Sequence, residues 1–237
     1  MSKRMAVRSF WLLSLLCVHV SRAFLLKQDL IHTASQRMTR TPLYATATLK
    51  PKSTKSMTAE ELKASIKRLA APTSNGVKAS QAQREALDEM IKKLEKMNKV
   101  KNTAKSDIVG QGSATWRLVY TDTDSTSSGK LGPFVGEVLQ KFDWPQKKYT
   151  NFVQLGPDGA ILQAALGARW EPVGSDKWNV VFESIAFRIL GVEVKKKEFE
   201  GAGTWRLTYI DPDMRILYAA SSRRPEVEHV YVLEKSS

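Results

Sequence analysis

Cysteine and histidine are the first things missing. The 237-residue chain has one cysteine, Cys17, and three histidines, His19, His32 and His229. Cys17, His19 and His32 fall in an N-terminal stretch that reads as a removable leader. The remainder therefore has no disulfide, no thiolate metal site and no cysteine nucleophile. A histidine metal cluster cannot be assembled from His229 alone, and a Ser-His-Asp triad would have to use that one ring. His229 directly precedes the strand-like run Val230–Leu233 and reads as an exposed strand-end residue. Also missing are a nucleophile elbow, a phosphate loop and a dinucleotide fingerprint. The expectation is a protein without catalysis, metal or cofactor.

Acidic residues are missing from the first quarter of the chain. The formal net charge is +13, a value that suggests a nucleic-acid partner until its distribution is traced. Ten basic residues precede Thr58 against one acid, Asp29, so the rest of the chain carries only +4. That is too little for a stripe able to neutralise several phosphates, and nucleic acid is excluded as a partner. The early charges look like addresses instead. Lys3, Arg4 and Arg8 precede the apolar run from Phe10 to Val20, which is too short for a bilayer-spanning helix, and Ser21-Arg22-Ala23 offers the small residues of a signal-peptidase site. A basic, Ser/Thr-rich stretch beginning at Phe24 follows to about Met57. Residues 1–23 are thus expected to be a signal peptide and 24–57 a disordered plastid transit peptide, a pairing that resembles the presequences of algae with complex plastids. A secreted protein with a basic arm is the competing reading.

Two short helices are expected over residues 58–99. Thr58 with Glu61, and Ser80 with Gln83, are capping boxes. Leu62, Ile66 and Leu69 follow the first at helical spacing until Pro72; Ala86, Leu87, Met90, Ile91, Leu94 and Met97 form one face of the second. Its narrow stripe and mixed-charge polar face favour docking on a core over lying on a membrane. Lys99 to Ser113 reads as a linker.

From residue 110 to 237 the pattern changes to strands and turns. Thr204–Tyr209 alternates Trp205, Leu207 and Tyr209 with polar residues, Asp211-Pro212-Asp213 supplies a type I turn, and Met214, Ile216 and Tyr218 resume the alternation. The first arm of this hairpin echoes Thr115–Asp122: TWRLVYTD and TWRLTYID agree at six of eight positions. Between them lie strand-like runs over 135–144, with an irregularity at Gly136, 147–155, 160–170, 178–190 and 192–199, the last with a charged, solvent-facing edge at Lys195, Lys196 and Lys197. Eight to ten such strands, with the first and a late one matching, predict a closed antiparallel barrel large enough for side chains or one small ligand.

These residues resemble the plastid lipid-associated protein or fibrillin family, whose fold is lipocalin-like. Similarity begins at Gly76-Val77-Lys78-Ala79-Ser80, Gln83-Arg84 and Leu94-Glu95. It continues through Trp116–Thr121 and Gly136–Asp143, and is most specific at Thr208–Ile216, with Val230–Leu233 as a last strand. Gly-x-Trp occurs at Gly203–Trp205 and is absent at Trp116, and the interior from Glu183 to Gly201 is short. The resemblance implies a mainly β, lipocalin-like barrel preceded by two short helices. It implies binding or carriage of lipids, quinones or carotenoids at thylakoids or plastoglobules, without catalysis. A structural coat on plastid lipid globules, without an internal ligand, is the alternative. Cavity-lining candidates are Trp116, Tyr120, Phe152, Trp178, Phe182, Trp205, Tyr209 and Tyr218. Asp211, Asp213 and Arg215 match the family motif in a structural role: Asp211 starts the turn, and Arg215 pairs with a carboxylate or with last-strand carbonyls.

Overall fold

The structure, a computed structural model, describes residues 57–112 and 114–236. The signal and transit segments expected upstream lie outside the described residues, Met57 excepted. Two capped helices come first, α1 (Ala59–Ala70) and α2 (Gln81–Glu95). At the start of α1 the Thr58 Oγ1 accepts the Glu61 N–H at 3.3 Å while the Glu61 carboxylate accepts the Thr58 N–H at 2.7 Å. Ser80 and Gln83 repeat the exchange at 3.2 and 3.0 Å, so each helix begins with two of its otherwise unpaired donors satisfied. Pro72, in a 3₁₀ turn at Ala71–Thr73, stops α1.

Ten strands follow: β1 (Thr115–Thr121), β2 (Lys130–Leu131), β3 (Phe134–Val135), β4 (Glu137–Asp143), β5 (Lys148–Leu155), β6 (Leu162–Val173), β7 (Lys177–Ile189), β8 (Val192–Ile210), β9 (Met214–Ser221) and β10 (Arg224–Lys235). Eight of them close an antiparallel barrel in the order β1-β10-β9-β8-β7-β6-β5-β4, while β2 and β3 pair separately. Closure leaves most strands with two neighbours and removes most free edges. The exception is the β7–β8 hairpin. β9 pairs with β8 only from Gly203 onward, so Val192 to Glu198 have β7 alone as a partner, and Lys195, Lys196 and Lys197 mark the unpaired edge. A two-residue turn, Leu190 (φ 50°) and Gly191 (φ 79°), joins these strands at the tip, as the twist of a hairpin requires.

The echo between TWRLVYTD and TWRLTYID is structural. In β1 the register with β10 shifts between Leu118 and Tyr120; in β8 the register with β9 shifts between Leu207 and Tyr209. Each copy therefore carries a β-bulge at the same place, which reverses the side-chain alternation beyond it. Trp116 and Leu118, like Trp205 and Leu207, face the barrel interior, and Tyr120 and Tyr209 turn outward. The helices cover that outer face: Leu62, Ile66, Leu87, Ile91 and Leu94 are buried against Tyr120, Tyr209, Met214, Ile216 and Val232. Each such aliphatic side chain contributes roughly 1.5–3 kcal/mol by leaving water.

The loop between the helices reaches the barrel wall through Gly76. The Thr121 N–H donates to the Asn75 carbonyl at 3.0 Å, and a Cβ at residue 76 would stand 2.0 Å from the Thr121 carbonyl oxygen. With φ at +95°, position 76 suits glycine on both counts.

Candidate functional site

The barrel interior is filled at one end and open at the other, and the sizes of the inward-facing residues cause the difference. In the filled half Trp178 pairs across strands with Trp205. Trp170 stacks on Trp178 at 4.2 Å between ring centroids, Phe142 on Tyr149 at 5.3 Å, and Tyr149 lies 5.0 Å from Trp205. Two residues further along β8 the inward position is Gly203, opposite Val180 and Ser221, and beyond that Gly201, opposite Phe182. On β9 the inward series likewise shrinks from Leu217 through Ala219 to Ser221. The missing side chains leave a cavity of about 490 Å³, within the range of small-molecule sites. Leu118, Val138, Leu166, Leu217 and Leu233 give it apolar walls.

The filled end has a floor. Lys99 to Ser113, expected to be a linker, instead carries two 3₁₀ turns, Thr103–Lys105 and Asp107–Gly110. Ala104 and Val109 are fully buried. Their carbonyls accept the indole N–H groups of Trp178 at 2.7 Å and Trp116 at 2.9 Å. Polar composition concealed this role, because the segment closes the barrel through backbone acceptors and few apolar side chains.

The open end is polar. Tyr231 Oη and Ser127 Oγ lie 2.7 Å apart, as do Ser127 Oγ and Ser125 Oγ. His229, at the mouth, places Nδ1 3.2 Å from Asp122 Oδ1; it is half-exposed and joined to a carboxylate, whereas the sequence suggested only an exposed strand end.

Inside, between walls and floor, sit Gln140, Tyr149, Asn151 and Arg215. Arg215 is 1% exposed. Its Nη2 donates to Gln140 Oε1, and its guanidinium carbon lies 4.8 Å from the Phe142 ring centre and 5.2 Å from that of Trp116. Among the described residues its guanidinium pairs with neither a carboxylate nor a last-strand carbonyl, contrary to the sequence expectation. Arg215 follows Met214 by one residue, so when Met214 faces the helices Arg215 must enter the barrel. Burial lowers its pKa to about 9, leaving it charged at neutral pH.

Asp211 does start the turn. Its Oδ1 accepts the backbone N–H of Asp213 at 2.8 Å and of Met214 at 2.7 Å. Its Oδ2 accepts Lys63 Nζ of α1 at 2.8 Å and Tyr209 Oη at 2.6 Å. Burial opposes the carboxylate charge, but these four donors outweigh it and hold the pKa below the ordinary 3.8. Asp213 adds an exposed carboxylate 3.5 Å from Lys63. Motif and helix are thus clasped together outside the barrel.

Of the eight cavity candidates, Phe182 and Trp205 line the cavity. Trp116 and Trp178 lie inside the barrel, packed into the filled end. Phe152 alternates with the inward Asn151 and Val153 and so faces outward. Tyr120 and Tyr209 face the helices because of the bulges, and Tyr218, on the same side of β9 as Met214 and Ile216, joins them. Sequence reasoning missed Gln140, Tyr149 and Asn151. The alternation of Val138 and Phe142 around Gln140 was the available signal, but a polar residue on an apolar face gave no reason to look inward.

Among the described residues no helix is long and apolar enough to cross a membrane, and no group of three or more His, Cys, Asp or Glu side chains is arranged to hold a metal. No curated protein and no solved structure matches the chain. The family description PAP_fibrillin matches residues 60–221, from the first turn of α1 to the last residue of β9. Both helices, the clasp and seven of the eight barrel strands fall within that span, β10 excepted, and the chain belongs to the plastid lipid-associated protein (fibrillin) family, whose members are associated with plastids.

Proposed function

We propose that this protein binds or carries a small hydrophobic molecule, of the lipid, quinone or carotenoid class, at thylakoids or plastoglobules, and catalyses nothing. The observation that carries this reading is the change of inward residues from Trp205 to Gly203 and Gly201, and from Leu217 to Ala219 and Ser221, which hollows a barrel that is otherwise packed. Replacing Ala219 by Phe places a ring in the hollow between Trp205 and His229. The variant should fold and lose binding of a fluorescent polyene fatty acid, and unchanged binding with an unchanged fold would sink the carrier reading.

Delivery to the plastid of an alga with a complex plastid is supported by the composition of residues 1–57. A fluorescent fusion of that segment that is secreted from such an alga would overturn this part.

The alternative is a structural coat on lipid globules. The apolar face of α2 does not support it, being occupied by the barrel. One other feature does: Leu190, Val192 and Val194 are 75%, 65% and 55% exposed at the tip of the β7–β8 hairpin. They adjoin exposed Ile161, whose carbonyl accepts the Leu190 N–H at 3.2 Å, and the lysines at 195–197 follow. An apolar tip backed by cations suits an anionic lipid surface. Lining strand β8 of the cavity runs directly into this hairpin, so carriage and surface contact are compatible.

A further inference from the structure

Arg215 is a buried cation with no counter-charge. Among the described residues it forms no ion pair, its Nε and Nη1 have no hydrogen-bond partner, and the same holds for Tyr149 Oη and Asn151 Oδ1. Buried guanidinium groups are ordinarily paired, because an isolated charge of this kind is costly to remove from water. Ring faces of Trp116 and Phe142 compensate in part, which leaves the Nε–H and both Nη1–H donors unused.

These groups share a location. Tyr149 and Asn151 line the cavity, and so does Gln140, which accepts from the Arg215 guanidinium; Arg215 lies behind Gln140 and does not itself line the cavity. The inner end of the cavity therefore lies next to an unpaired positive charge that is itself shielded from solvent. Tyr149 adds an unengaged hydroxyl donor, held neutral by burial. Asn151 can present its amide nitrogen by a half-turn about χ2. Between this inner end and the polar mouth, where Arg223 and Arg224 also line the opening, the walls are apolar, with Leu166, Phe182 and Ala219.

We propose that the cavity ligand is a single-chain amphiphile with an anionic head, bound head-inward, the head accepting hydrogen bonds at Tyr149 and the Gln140–Asn151 pair and supplying the missing counter-charge to Arg215. This rests on the carrier reading above and adds polarity and orientation to it. A neutral quinone or carotenoid would leave the guanidinium uncompensated and is disfavoured for this site. A carboxylate head and a phosphate monoester share the required chemistry.

The test uses the full chain and titration calorimetry with dodecanoate, dodecyl phosphate and dodecanol at low salt and neutral pH. We expect one or both anions to bind at least 10-fold more tightly than the alcohol, the better anion identifying the head. In Arg215→Met that preference should disappear while dodecanol affinity stays within 3-fold. Removal of an unpaired buried charge makes this variant no less stable than the parent. If it nonetheless fails to fold, Tyr149→Phe gives a second reading, a loss of at least 3-fold for the preferred anion alone. Equal affinity for anion and alcohol in the unmodified protein overturns the inference while leaving the carrier reading intact. Binding of none of the three overturns both.

Discussion

The clasp between Lys63 and Asp211 holds α1 on the barrel, and Asp211→Asn isolates its contribution. The substitution keeps Oδ1 as acceptor for the N–H groups of Asp213 and Met214 but turns Oδ2 into an amide N–H₂ facing two other donors, Lys63 Nζ and Tyr209 Oη. Lys63 is 4% exposed, so it is left nearly buried with only Glu60 at 2.7 Å and Asp213 at 3.5 Å, both highly exposed. Breaking a fully buried pair costs about 3–5 kcal/mol. With a fifth of the Asp211 side chain exposed and Glu60 still available, we expect about 2–3 kcal/mol, or roughly 4–12 °C in Tm for a unit of this size. Lys63→Met should cost less, about 1 kcal/mol, because Asp211 keeps Tyr209 and both backbone donors.

Acid provides the control. The Asp211 pKa is depressed in the folded protein, so its contribution is fully present above the ordinary value of 3.8 and is lost as pH falls through the lower folded value. Lys63 is shifted upward by its partners despite burial, so its share persists below its ordinary 10.5 and fades only as the medium becomes strongly alkaline. Urea unfolding should show the full difference between parent and Asp211→Asn at pH 6 and a shrinking one below about pH 4. A variant within about 0.5 kcal/mol of the parent at pH 6, or a difference that ignores pH, would refute the role assigned to the clasp.

Two further outcomes are expected. Trp178→Phe removes the indole donor from the buried Ala104 carbonyl and should cost about 1–3 kcal/mol, with faster hydrogen exchange confined to residues 103–110; unchanged exchange there would show that the floor does not depend on this bond. Leu190→Glu with Val192→Glu should abolish flotation with anionic liposomes and shift stability by less than about 0.5 kcal/mol, since both side chains are exposed. Flotation equal to the parent's would remove the hairpin from the lipid-contact reading.

Much of the architecture was legible in the residues. Capping boxes located the helices, alternation and turn chemistry located the strands, and the repeat of TWRL-x-Y-x-D correctly brought the first strand near the late ones. Alternation failed where it was carried through a bulge. Trp205, Leu207 and Tyr209 share a face only in a regular strand, and one extra residue at Thr208 sends Tyr209 to the helices. Nothing in Val119 or Thr208 announces a bulge, since neither is a glycine and both are good strand formers. The polar interior was hidden for a different reason. Gln140 and Arg215 look like solvent-facing residues of their strands until the neighbouring side chains are shown to face the other way.

The seam of the barrel has a consequence for how the chain matures. Arg117 of β1 pairs with Glu234 of β10, 117 positions later, so the cylinder cannot be sealed until the chain as far as β10 has emerged from the ribosome. Until then β1 and β9 both present raw hydrogen-bonding margins to their surroundings. Helices α1 and α2, available early and matched to the outer surface of β1, can shelter part of that nascent wall while β10 is awaited. A C-terminal truncation before Arg224 would make this waiting state permanent and favour self-association over a hollow monomer.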